Sequence, residues 1–99
     1  MTTSIFKVTC ERPYINGFLM TFNNGMKVSV QFGAASYCDR VKHPDGDFAT
    51  TAECAVIDPN DEFVRMTGWE EDVKGWMTTE DVLNLMLEVH SMKSEQVDL

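Results

Sequence analysis

The sequence predicts an α+β domain: an antiparallel sheet of about five strands in two hairpins, with one C-terminal helix packed on it. Three observations carry this expectation. Phe18, Met20 and Phe22, then Met26, Val28, Val30 and Phe32, sit at every second position of two adjacent runs, the period of a strand with one buried face. A second pair of short runs flanks Asp58-Pro59-Asn60-Asp61. Val82, Leu85, Met86, Val89 and Met92 recur at helical spacing behind a capping sequence.

In chain order, Ser4 to Cys10 reads as a first strand, closed by Arg12-Pro13 because the residue before proline is pushed out of helical geometry. The first hairpin runs from Gly17 to Gly33. Its register follows from its faces. A two-residue loop would set Phe22 opposite Lys27, whereas a three-residue loop over Asn23-Asn24-Gly25 sets Phe22 opposite Met26, Met20 opposite Val28 and Phe18 opposite Val30. The second choice keeps the large side chains together on one buried face, with Gly25 in the left-handed region closing the bulge. Ala34 to Thr51 follows neither period and contains Pro44-Asp45-Gly46, so it reads as a long irregular loop.

Glu53–Asp58 and Glu62–Met66 form the second hairpin, joined by a type I turn with Asp58 first and Pro59 second. Cys54 and Val56 share one face and Ala55 and Ile57 the other. Thr67–Met77 reads as a connection in which Trp69, Val73 and Trp76 cover apolar surface while Glu70, Glu71 and Asp72 stay wet. Thr78 with Asp81 resembles a capping box, Met77 and Val82 a hydrophobic staple, and Glu80 and Asp81 complement the helix dipole. Leu83 and Leu87 widen the apolar stripe. Residues 93–99 lack apolar periodicity and read as a frayed tail.

The 99 residues are the length of a single domain, at 43% hydrophobic and 24% charged. No basic leader precedes an apolar run, and no run approaches a membrane span, so the expectation is a cytoplasmic protein without a membrane partner. Cys10, Cys38 and Cys54 are odd in number and lack CxxC spacing, which suits free thiols. The net charge of -8 is uneven: residues 1–50 carry five basic and four acidic groups, residues 51–99 three basic and twelve acidic. An acidic half of this size repels phosphates and argues against direct nucleic acid binding.

Chemical motifs are sparse. There is no phosphate-binding glycine loop, GxSxG, HExxH or EF-hand pattern. Cys38, Asp39 and His43 form a local nucleophile–base grouping without an orienting partner, and Cys38 with His43 matches no standard zinc spacing. The sequence therefore predicts no enzyme, no metal and no cofactor. Two binding patterns remain. Trp69 and Trp76 with Glu70, Glu71 and Asp72 combine aromatic anchors with an acidic rim, suited to a protein with a basic surface. Tyr37, Arg40, Lys42 and Phe48 combine cations with rings, suited to an anionic small molecule such as a nucleotide signal.

The stretches NGFLMTFNNGMKVSVQFG, AECAVIDPNDEFV and DVKGWMTTEDVLNLM resemble small uncharacterised bacteriophage-encoded accessory proteins, over Asn16 to about Met86. The resemblance carries no catalytic motif. It implies an inhibitor of host machinery, defence systems such as CRISPR included, acting in the host cytoplasm by binding an effector protein. The alternative it implies is a sponge that sequesters a nucleotide signal, as Thoeris anti-defence proteins do. Homo-oligomerisation is compatible with either reading.

Overall fold

A computed structural model gives the fold, and residues 6–7, 16–33, 36–39 and 48–93 are described. The elements are β1 (Phe6–Lys7), β2 (Gly17–Thr21), β3 (Lys27–Gln31), β4 (Phe48–Ala49), β5 (Thr51–Ile57), β6 (Phe63–Val64), β7 (Val73–Thr78) and α1 (Thr79–His90). The architecture is α+β. Five strands form one antiparallel sheet in the order β2-β3-β5, with β6 and β7 both pairing with β5, and β1 pairs with β4 in a separate two-stranded sheet.

The first hairpin has the register that its apolar pattern requires: Phe18 lies opposite Val30 and Met20 opposite Val28. Phe22 N–H donates to the Met26 carbonyl and Gly25 N–H to that of Phe22, both at 2.9 Å, and Gly25 takes φ 84°. The second hairpin repeats this turn. Asp58 N–H donates to Glu62, Asp61 N–H donates to Asp58, and Asp61 takes the left-handed φ of 63° in place of a glycine. The Asp58 carboxylate also accepts from the N–H groups of Asn60 and Glu62, fixing the loop from within.

The core lies between the central strands and α1. Val28, Val30, Cys54, Val56 and Val89 are fully buried, with Ala52, Met77, Val82 and Leu85 around them. Thr78 and Asp81 form the capping box: the Asp81 N–H donates to Thr78 Oγ1 and the Thr78 N–H to the Asp81 carboxylate. At the other end, Asn24 of the first hairpin loop reaches across. Its Nδ2 donates to the carbonyls of Val89 at 3.0 Å and Met92 at 2.7 Å, and its Oδ1 accepts from the Met26 N–H. A loop side chain thereby adds a donor at the helix end, where the Val89 carbonyl also accepts from the Met92 N–H at 3.1 Å.

Several expectations are corrected. Thr67–Met77 is no plain connection, because Val73–Thr78 is a strand paired along β5. The sheet thus reaches five strands with β7, while the predicted first strand contributes β1 to the small sheet. Ala34–Thr51, predicted as a loop, supplies β4 and the start of β5, while residues 34–35 and 40–47 lie outside the described residues. The partner strand predicted over Glu62–Met66 shortens to β6. The apolar face of β2 is only partly covered: Phe18 is 39% and Met20 40% exposed, because α1 lies over β3, β5 and β7. Leu83 and Leu87 do not widen the buried stripe but stand exposed. Among the described residues no helix is long and apolar enough to cross a membrane.

Candidate functional site

The feature with the most unusual geometry is the middle of β7. Ala52 pairs with Met77 and Cys54 with Lys74, so Glu53 on β5 faces two residues, Gly75 and Trp76. That is a β-bulge, which bends the strand and redirects a side chain. Trp76 takes φ 57°, a conformation that costs a bulky residue about 1–2 kcal/mol. The extra residue turns the indole outward, leaving it 61% exposed. Trp76 was expected to cover apolar surface; the bulge prevents it.

The bulge is held from outside by the segment Ser36–Asp39. Trp76 N–H donates to the Tyr37 carbonyl at 2.9 Å. A Cβ at Gly75 would come within 2.5 Å of Tyr37 Cβ, so only glycine admits this approach. Asp39 ties the segment to β5. Its carboxylate accepts from the N–H of Thr50 and Thr51, from Thr51 Oγ1 at 2.6 Å and from Thr50 Oγ1, while its own N–H donates to Thr51 Oγ1. Burial opposes the charge, but these hydrogen bonds outweigh it and hold the carboxyl below its ordinary value. Asp39 is therefore a structural clamp.

Two adjoining grooves flank the bulge. One, of about 350 Å³, lies between the Gly68–Glu71 loop and β7. The other, of about 530 Å³, lies between β7 and α1, where Asp81, Asn84 and Glu88 form its far wall. Trp69, Lys74, Gly75 and Trp76 line both. Four carboxylates (Glu70, Glu71, Asp81 and Glu88) against Lys74 leave the pair of grooves acidic. Trp69 is half-buried against the core and forms a fixed floor.

Of the predicted protein-binding residues, Trp69, Glu70, Glu71 and Trp76 come together here. Asp72 does not line either groove and instead faces Arg65 at 3.4 Å, both side chains exposed. Of the predicted ligand-binding residues, Tyr37 abuts the bulge with its side chain exposed and Phe48 lies in β4. Arg40 and Lys42 lie outside the described residues, as do Cys10 and His43. Asp81, Asn84 and Glu88 line the second groove without a binding signal in the sequence. Their spacing puts them on one helix flank, but only the position of β7 makes that flank a groove wall.

Two thiols, Cys38 and Cys54, are among the described residues, both free. Cys54 is fully buried, and burial, with Glu53 and Asp81 near it, pushes its pKa up to about 12. Cys38 Sγ lies 3.6 Å from the Gly33 carbonyl. Among the described residues no group of three or more His, Cys, Asp or Glu side chains could hold a metal ion. His90 stands edge-on to the Phe22 ring, with centroids 5.6 Å apart. Comparison with protein-family models, curated proteins and solved structures found no match.

Proposed function

We propose that the protein is a non-enzymatic binding protein that engages a basic protein surface through the double groove around Trp76. The observation that carries this reading is the pairing of a strained, outward-turned Trp76 with a packed Trp69 inside a rim of carboxylates. Backbone strain of this kind persists only where the surroundings over-determine it, and it concentrates at functional positions. A fixed indole is also an efficient anchor, because it contributes a large contact area while losing little side-chain freedom on binding. Acidic groups around it favour Lys and Arg on the partner and speed encounter. Following the resemblance to phage accessory proteins, the proposed target is a host protein in the bacterial cytoplasm, a defence effector included.

The test is affinity capture from bacterial lysate, followed by association kinetics with the captured protein at low and moderate salt. Reversing Glu70 and Glu71 to Lys should slow association by at least about tenfold at low salt and flatten its salt dependence. Trp76→Ala should raise the dissociation rate instead. Unchanged kinetics in both variants would remove the groove from the interface.

A further inference from the structure

The opposite side of the molecule carries a second surface. β2 ends the sheet, and its outer edge has no partner among the described residues. All five of its residues are exposed. The hydrogen bonds fix which backbone groups point outward. Phe22 N–H donates to Met26 and Phe32 N–H to Asn16, so the even positions of β2 bond to β3. The N–H and C=O groups of Gly17, Leu19 and Thr21 therefore face away from the sheet.

Free edges are usually blunted by a lysine, a proline or a bulge. Gly17–Thr21 has none of these, and no charged residue occurs from Asn16 to Met26. Helical spacing continues the uncharged surface above it. Asp81 and Glu88 flank α1 on the β7 side, and Leu83 and His90 turn to the other, where His90 meets Phe22. Phe18 and Met20, on the same face of the hairpin as Phe22, thus form a half-exposed apolar floor.

We infer that this edge pairs with the same edge of a second copy, in an antiparallel β2–β2 contact with its two-fold axis at Leu19. The register is self-complementary. Leu19 meets Leu19 of the second copy as a hydrogen-bonded pair, Gly17 meets Thr21, and Phe18 meets Met20 on the helix side. The outward-facing backbone groups are those that such a pair requires, and the four aromatic and methionine side chains extend the apolar layer across the axis. Charge selects the occupant. A second copy also carries a net charge of -8, so copies repel wherever their acidic surfaces meet. The uncharged edge is where two such chains approach with the least repulsion, and it offers a basic partner nothing to recognise. Five paired residues cover less than the roughly 800 Å² per partner of a standard interface, so the dimer is a weak, reversible one.

The test is sedimentation across a concentration series, with amide exchange on the wild type. The expected result is a reversible shift from one chain to two, with the Leu19 and Thr21 amides gaining protection as concentration rises. Leu19→Lys, at an exposed side chain, should remain one chain throughout with an unchanged circular dichroism spectrum. Leu19→Cys should form an intermolecular disulfide faster than Thr21→Cys, whose sulfurs the register holds apart. A single-chain mass at every concentration, a dimer indifferent to Leu19→Lys, or equal linkage of the two cysteine variants would overturn the inference. None of these readouts depends on the groove around Trp76.

Discussion

Asn24 and Asp39 act at the residue scale, each through one side chain that closes a long-range connection. Asn24 joins the first hairpin loop to the end of α1 across 65 positions of sequence. Asn24→Ala leaves the carbonyls of Val89 and Met92 and the Met26 N–H without these partners, at about 1–3 kcal/mol. Thermal unfolding should therefore fall by roughly 5–15 °C, and amide exchange should quicken first in the last turn of the helix. An unchanged melting temperature would show that water replaces the amide without cost. Asp39 predicts a pH dependence. Its folded pKa is depressed, so its contribution is present above the unfolded carboxyl value, about 3.9, and is lost as pH falls through the folded value. Asp39→Asn should lower stability at neutral pH and make the acid limb of the stability curve shallower. Parallel curves for the two proteins would refute the clamp. Asn24 was legible in sequence as a turn residue, but its reach to the helix was not, because no local pattern encodes a contact of that separation.

At the scale of elements, the first hairpin and the helix start were the most legible parts. The alternation of Phe18, Met20 and Phe22 with Met26, Val28 and Val30 admits one register that keeps the large side chains together, and that register is present. Thr78 and Asp81 announced the helix start by a capping box that is present, and Met77 and Val82 beside it are both in the core. β7 was not legible. Val-Lys-Gly-Trp-Met breaks the two-residue period at the bulge, and the pattern reads as irregular because two residues there oppose one. The acidic and aromatic composition of the candidate site was visible, yet its shape depends on that bulge. Trp76→Gly tests whether the indole serves the fold. Relief of the left-handed strain offsets the flexibility that glycine adds to the unfolded chain, so stability should stay within about 1 kcal/mol of wild type. A loss above about 2 kcal/mol in the denaturant midpoint would mean that Trp76 packs, and the anchor role would fail.

For the whole molecule, the sheet separates two surfaces of opposite character. The β7 side carries the carboxylates and both tryptophans; the β2 side carries Phe18, Leu19 and Met20 without a charge. Sequence located the acidic half, but not its separation onto one flank of α1, since a helix distributes Leu83, Asn84, Leu87 and Glu88 by angle rather than by order. A dimer through β2 would present its two grooves at opposite ends of one continuous sheet, free to engage two targets or two sites on one target. The Asn24 bridge has a further consequence, in time rather than in space. During synthesis the first hairpin is complete well before α1 exists, and its apolar face is then open to solvent. The end of the helix takes two of its hydrogen bonds from Asn24 of that hairpin, so docking on the sheet and completion of the last turn are coupled. A chain stopped short of Thr78 would lack the cover of its strands, and its Val28, Val30, Cys54 and Val56 would be what a chaperone or protease meets first.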